Sequence, residues 1–141
     1  MHFDLPQDLG PVYESLAPIR WSDMDALGHL NNTNYFRCFE SVRIDWLTSL
    51  GYNASSRTAG LVIVDTYCNY HQAITYPAHV RIRLYARAGR RSSFKVWATM
   101  EELSEAEPQL CATSGSTIVW ADLAMGKSAP LPKYLHAAMS A

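Results

Sequence analysis

A carboxylate that precedes a helix start by a few residues is the feature of this chain with the clearest chemical potential. Asp25 is followed by a tight loop containing Gly28, and an amphipathic helix is predicted to begin near Thr33. A helix start offers unpaired N–H groups and a positive dipole end, which stabilise a developing oxyanion. A carboxylate beside it can act as a nucleophile or a general base on the same carbonyl. The spacing therefore predicts acyl chemistry without a Ser/His/Asp triad.

Each polar residue of this segment also has a purely structural interpretation. Asp25 could be a turn aspartate that caps nearby backbone groups. Asn31 or Asn32 could simply cap the helix, and this would still leave N–H groups facing a ligand. His29 could carry protons, because histidine titrates near neutral pH, or it could hydrogen-bond to the backbone and fix the turn. These alternatives stay open on spacing alone.

The whole segment resembles the hotdog-fold acyl-CoA thioesterases, in the branch of the 4-hydroxybenzoyl-CoA thioesterases and their long-chain relatives. That branch has a motif of the form Asp-x-Asp-x-x-Gly-His-hydrophobic-Asn-Asn-x-x-Tyr after an aromatic residue. The chain matches the motif and its helical continuation at Trp21, Asp23, Asp25, Gly28, His29, Leu30, Asn31, Asn32, Tyr35, Phe39, Glu40 and Arg43.

The resemblance implies roles for the matched residues. Asp25 corresponds to the catalytic acid, and Asp23 is expected to anchor the loop. The backbone N–H of Asn32 is expected to be the main oxyanion donor, with Asn31 or Thr33 as its neighbours. Because other hotdog branches use a helix carboxylate, Glu40 could also join the chemistry, although pairing with Arg37 or Arg43 is the simpler expectation.

The resemblance also implies where the substrate lies. The acyl group is expected in an apolar tunnel beside Tyr35 and Phe39. Arg90 and Arg91 could meet the phosphates of coenzyme A, because arginine suits phosphate geometry, although an ordinary solvated turn is an equally good interpretation. Second candidates for this contact lie on one strand: Arg81, Arg83 and Arg87. The acyl specificity stays open between aromatic and medium-to-long fatty groups.

Hydrophobic periodicity predicts the elements that position these residues. A helical stripe runs from Thr33 to Leu50 and includes Phe36, and Gly51 ends the helix. Five strands are predicted, three of them with clear alternation: residues 12–21, Leu61–Tyr70, Val80–Arg87, Phe94–Glu101 and Cys111–Ala121. A short helix or tail is expected within Ala129–Ala141. The prediction is an α+β hotdog fold over residues 1–141 as a single domain, with a curved antiparallel sheet of about five strands around one long central helix.

Composition excludes several classes of protein. The chain has 141 residues and a net charge of −1, so neither nucleic acid nor an anionic membrane surface is expected as a partner. No run of about 18 apolar residues and no signal peptide is visible. The three cysteines, Cys38, Cys68 and Cys111, are predicted to be small core residues in a cytoplasmic protein. Histidine spacing predicts no metal, and no permanent cofactor is expected.

A lone curved sheet would leave an open edge, and the resemblance implies a homodimer or homotetramer with sites at the interface.

Three rival functions remain to be weighed. A hotdog enoyl-CoA hydratase would need Asn and Pro between the acid and a histidine five residues later, and the sequence around Asp25 and His29 lacks this pattern. The other two rival functions are a non-catalytic acyl-CoA-binding protein and a thioesterase that acts on acyl carrier protein.

Overall fold

One antiparallel sheet and one long helix position every candidate residue. The computed structural model describes residues 2–140. Its elements follow in the order β1 (Tyr13–Ile19), a 3-10 turn (Trp21–Asp23), α1 (Asn32–Ser49), β2 (Ala59–Tyr70), β3 (Ala78–Ala88), β4 (Ser93–Leu103), β5 (Gln109–Asp122), β6 (Lys127–Ser128) and α2 (Lys133–Ala138). The predicted C-terminal helix is therefore present, while Ala141 of the predicted tail lies outside the described residues.

The strands form a single sheet in the order β1-β3-β4-β5-β2, and every pairing is antiparallel. The two-residue strand β6 pairs with the end of β5 and makes six strands in all. The predicted α+β architecture is confirmed. β1 lies at one edge, which explains how Pro18 is tolerated inside it, since an edge strand can lack one donor.

Helix α1 begins and ends where its capping residues require. The Asn31 side chain accepts a hydrogen bond from the Thr33 backbone N–H at 2.9 Å, and Gly51 takes a positive φ of 107° just beyond the last turn. The predicted range is correct to within one residue at each end. The buried stripe consists of Tyr35, Phe39, Val42, Trp46 and Leu47.

The placement of Phe36 on that stripe was wrong. Its side chain is 37% exposed, because it lies at the margin of the stripe, above the edge of the sheet formed by β2. Phe36 therefore contributes little to the core and lines an open cavity instead.

The core lies between α1 and the concave face of the sheet. Strands β3 and β4 contribute alternate residues that are at most 4% exposed: Val80, Ile82, Leu84, Ala86, Phe94, Val96, Ala98 and Met100. The prediction of core cysteines is confirmed for Cys111, whereas Cys38 and Cys68 are half-buried and pack against the core. All three thiols are unpaired.

The N-terminal segment crosses the opposite, outer face of the sheet. Asp4 accepts hydrogen bonds there from Tyr67 and Trp97, each at 2.9 Å. Both aromatic residues flank Gly115 in the register of β5, and a Cβ atom at this glycine would lie 2.5 Å from the Tyr67 ring. The close approach of the ring therefore requires glycine at position 115.

Candidate active site

The loop before α1 is closed by its own hydrogen bonds. The Asp25 carboxylate accepts the Leu27 N–H at 2.9 Å, and the Asp25 C=O accepts the Gly28 N–H at 3.0 Å. Gly28 has a positive φ of 79°, which glycine adopts without strain. The Asp25 N–H donates in turn to the His29 C=O at 2.9 Å. The carboxylate is thus held at a fixed place with one of its oxygens still available.

Asp23 ties this loop to the helix. Its carboxylate accepts the Arg20 N–H at 2.9 Å, and its C=O accepts the Asn31 N–H at 3.1 Å and the Asn34 side-chain amide at 2.9 Å. Leu30 is buried, and its N–H donates to the Ile74 C=O at 2.7 Å. Asp23 behaves as the expected loop anchor, and these bonds fix the distance between loop and helix.

The first turn of α1 holds the predicted oxyanion donor. The Asn31 side-chain oxygen accepts a hydrogen bond from the Thr33 N–H, and the Asn31 C=O accepts one from the Asn34 N–H at 2.9 Å. The Asn32 N–H has no acceptor among residues 2–140. Its own C=O accepts the Tyr70 hydroxyl at 2.9 Å. The predicted oxyanion donor is therefore an available N–H.

A cavity of about 350 Å³ brings the predicted catalytic residues together. Asp25, His29, Asn32 and Tyr35 all line it. Its remaining walls come from the loop, from the end of β2 and from the segment that follows it: Leu27, Leu30, Tyr70, His71, Gln72 and Ala73. Asp25 and the helix-start residue Asn32 thus line one cavity, and acyl chemistry needs a carboxylate and an N–H donor close together.

Two phenols beside Asp25 keep their protons at neutral pH. Burial raises the pKa of Tyr35 and of Tyr70 to about 12. Their rings meet edge to face with centroids 4.9 Å apart. Asp25 makes no ion pair within residues 2–140, and no lysine or arginine lines the cavity. The Asp25 carboxylate therefore has no lysine or arginine partner, and both tyrosines remain neutral phenols beside the cavity.

Other predicted site residues lie elsewhere. Asn31 and Thr33 bond to each other, with the Thr33 hydroxyl 2.6 Å from the Asn31 side-chain oxygen, and neither lines the cavity. Phe39 is buried one helical turn beyond Tyr35 and lines a second cavity. Arg90 and Arg91 lie at the β3–β4 turn and line a third cavity of about 520 Å³.

The second candidates for phosphate contacts already have partners. Arg81 and Arg83 pair with Glu101 and Glu14, each at 2.8–3.0 Å, and Arg87 pairs with Asp8 at 3.0 Å. The expected pairing of Glu40 with Arg37 or Arg43 was wrong, because no ion pair of Glu40 within 4.0 Å occurs in the described part of the chain.

The back wall of the cavity was not assigned from the sequence. Tyr70 and His71 lie where β2 ends, and the His71 ring nitrogen is 3.0 Å from the Thr113 hydroxyl. The segment from Tyr70 to Pro77 resembles a stretch of the 4-hydroxybenzoyl-CoA thioesterase branch, with Ala73 in place of the usual Pro and Pro77 in place of the usual Gly. This resemblance was the available signal. Between residues 2 and 140 no cluster of three metal-ligating side chains occurs, and no helix there is long and apolar enough to cross a bilayer.

Comparison with known proteins identifies the family of this chain. The sequence profile of the Thioesterase-like superfamily matches residues 19–139. The PA2801 protein of Pseudomonas aeruginosa, a proposed thioesterase, is 30% identical and superposes with a TM-score of 0.86 over 93% of this chain and 100% of its own. The YsmA protein of Bacillus subtilis is 28% identical over 113 residues, which are 74% of this chain and 76% of YsmA.

A more distant neighbour shows the same hotdog fold. Slr0204, a 1,4-dihydroxy-2-naphthoyl-CoA thioesterase from Synechocystis, is 18% identical and has a TM-score of 0.82 over 90% of this chain and 94% of its own. The predicted hotdog architecture is thereby confirmed. The chain belongs to the Thioesterase-like superfamily, and thioester hydrolysis is its class of reaction.

Proposed function

We propose that the chain hydrolyses acyl-CoA thioesters, with the thioester carbonyl bound at the Asn32 N–H and attacked from the side of Asp25. The observation that carries the proposal is that Asp25 and Asn32 line one cavity of about 350 Å³ and that the Asn32 N–H has no acceptor among residues 2–140. The Tyr70 hydroxyl supports the helix start by donating to the Asn32 C=O. The superfamily membership supplies the reaction class, and the cavity supplies the residues.

Two routes fit the same residues. Asp25 could attack the carbonyl directly, in which case coenzyme A thiolate leaves and water cleaves the resulting mixed anhydride. Alternatively, Asp25 could take a proton from water, which then attacks the carbonyl. In both routes the oxyanion forms beside the Asn32 N–H, and the products are a free acid and the thiol. His29 lines the cavity and could carry the proton to the thiolate.

Coenzyme A is the proposed leaving group, rather than an acyl carrier protein. Slr0204, with the same fold, acts on an acyl-CoA. A net charge of −1 offers no strongly basic docking face for a carrier protein. Arg90 and Arg91 are exposed and, among the described residues, make no ion pair, so they remain the proposed contacts for the phosphates.

The proposed assembly is a homodimer or a homotetramer. β2 forms an edge of the sheet and exposes three consecutive apolar side chains, Val62, Ile63 and Val64. An exposed apolar edge strand favours pairing with a second copy. The three unpaired cysteines support a reducing, cytoplasmic setting.

A thiol-release assay over a panel of acyl-CoA esters tests the function, with Asp25→Asn beside the wild type. The asparagine keeps the oxygen that accepts the Leu27 N–H, so the loop is retained while the charge is removed. We expect kcat/KM to fall by at least about 100-fold, the low end for removal of a general base. Asp45→Asn, an exposed carboxylate change on α1, is the matched control. Equal turnover by Asp25→Asn would remove Asp25 from the mechanism, and no turnover of any ester by the wild type would refute the function.

A further inference from the structure

A second cavity lies beside the middle of α1, beyond the candidate active site. It has a volume of about 180 Å³. Helix α1 and strands β2 and β5 line it, with four residues from the helix and four from the sheet: Phe36, Phe39, Glu40, Arg43, Ile63, Thr66, Ser114 and Ser116. Three of these residues are apolar or aromatic, and the other five are polar or charged.

The residues of β5 that line this cavity are polar, whereas the neighbouring positions on the same face of β5 are apolar. Ser114 and Ser116 are 4% and 8% exposed and lie on the same face of β5 as the buried residues Ala112 and Ile118. Ser116 bonds to the hydroxyl of Thr66, its register partner on β2, at 2.8 Å. These short side chains leave space under the helix, and their hydroxyls keep further capacity for hydrogen bonds to a ligand.

The helix side places a cation at the same cavity. Arg43 is half-buried and makes no ion pair within 4.0 Å among residues 2–140. Burial lowers the pKa of Arg43, and the nearby charge of Glu40 partly offsets this effect. A partly desolvated guanidinium favours a ligand that accepts hydrogen bonds or carries negative charge.

Residues of both cavities lie along one face of helix α1. At 3.6 residues per turn, Asn32, Phe39 and Arg43 lie on one face of α1, with Phe36 between them. Arg43 lies about 16 Å along the axis from Asn32 at a rise of 1.5 Å per residue. A carbonyl bound at the Asn32 N–H with its acyl group running along this face therefore meets two phenylalanines first and the polar cavity last.

We infer that this cavity binds the far end of the acyl group and favours acyl groups that carry a terminal hydroxyl. This inference rests on the proposed function and narrows its substrate class. A hydroxyl would accept from Arg43 and bond with Ser116, whereas a hydrocarbon end would desolvate the Arg43 guanidinium without giving it a partner. Phe36 and Phe39 would cover the apolar middle of the same acyl group.

Matched substrate pairs test the inference directly. Decanoyl-CoA is compared with 10-hydroxydecanoyl-CoA, and hexanoyl-CoA with 6-hydroxyhexanoyl-CoA, by thiol release, so that the longer pair spans the distance from Asn32 to the Arg43 side chain. We expect the wild type to prefer the hydroxylated member of at least one pair by about 10-fold or more in kcat/KM, as expected for one hydrogen bond to a charged group. Arg43→Met, which keeps chain length without charge, should reduce this ratio to less than about 3-fold.

Two further variants make the test decisive. Ser116→Ala should reduce the same ratio, while Arg37→Met, an exposed arginine on the same helix, should leave it as in the wild type. Equal turnover of both members of every pair by the wild type would overturn the inference but leave the thioesterase function intact. A wild-type substrate preference that persists in both Arg43→Met and Ser116→Ala would also overturn it. The inference fails as well if Arg43→Met changes the preference only together with loss of the oligomer in gel filtration, while Ser116→Ala leaves the preference unchanged. No hydrolysis of any ester would instead refute the proposed function.

Discussion

Two aspartates of this chain lie in opposite surroundings. The Asp4 carboxylate accepts hydrogen bonds from Trp97, Tyr67 and Lys95 at 2.9, 2.9 and 3.1 Å, and all three donors come from the outer face of the sheet. The Asp25 carboxylate accepts one bond, from a backbone N–H two residues away. Asp4 thus has its acceptor capacity occupied by the fold, whereas Asp25 keeps most of its capacity for a ligand.

The number and origin of these hydrogen bonds distinguish a carboxylate that stabilises the fold from one that can act on a ligand. The Trp97 bond, with help from Tyr67 and Lys95, holds the pKa of Asp4 well below its usual range. These bonds span 63 to 93 residues of sequence, so they tie the N-terminal segment to the sheet. Asp25 is held only within its own loop, and its charge faces a cavity. We conclude that Asp4 stabilises the fold and that Asp25 is available for chemistry.

The largest expected effect separates the two aspartates by rate. If Asp25 alone acts on the thioester, its change to asparagine lowers kcat/KM by at least about 100-fold. Asp4→Asn should leave kcat/KM within about 2-fold of the wild type, because Asp4 lies on the opposite face of the sheet from α1. Thiol release from one acyl-CoA ester measures both variants. Similar losses in the two variants would show that the rate reports fold integrity rather than catalysis.

A smaller effect is expected at Tyr70. Tyr70→Phe removes the hydroxyl that donates to the Asn32 C=O, and one neutral hydrogen bond is worth about 1 kcal/mol, or about 5-fold in rate. We expect the loss in kcat rather than KM, because the bond orients the helix start. Tyr76→Phe is the matched control, since Tyr76 is similarly exposed and does not line the cavity. An unchanged kcat in Tyr70→Phe would exclude a positioning role.

The smallest effect concerns stability. Asp4→Asn should lower the free energy of unfolding by about 1 kcal/mol at pH 7, because its bonds are charge-assisted but partly screened by solvent. Since the folded state lowers the pKa of Asp4 from 3.8, its stabilisation is complete well above that value and is lost as the pH falls below it. The difference between the wild type and the variant in denaturant melts should therefore shrink progressively as the pH falls from about 4 towards about 2. A constant difference down to that pH would contradict the ionic role.

Local patterns predicted most of the fold. The bounds of α1 followed from the capping residue Asn31 and from Gly51, and the strands followed from alternation. The two-residue strand β6 was too short to give a pattern. Phe36 was assigned to the core because periodicity does not show where the covering sheet ends.

The candidate site was predictable only in part. A contiguous motif identified Asp25 and Asn32, which the fold brings to one cavity. The contact of Tyr70 with the helix start joins residues 38 apart, and the polar cavity needs the β2–β5 register to place Thr66 beside Ser116. Such contacts depend on strand pairing and leave no local signal in the sequence.

The central claim is that an available backbone N–H at the start of α1 holds the reacting carbonyl. Asn32 is the first helical residue, where proline is well tolerated, and Asn31 has the extended conformation that precedes proline. Asn32→Pro therefore deletes the N–H while keeping the helix, and Asn32→Ala keeps the N–H while deleting the side chain. Both variants are compared with the wild type on the best acyl-CoA substrate, with melting temperatures as the folding control.

We expect Asn32→Pro to lower kcat by about 100- to 1000-fold, the usual cost of one oxyanion donor, and Asn32→Ala to lower it by less than about 10-fold. A folded Asn32→Pro variant that hydrolyses the ester as fast as Asn32→Ala would contradict the account.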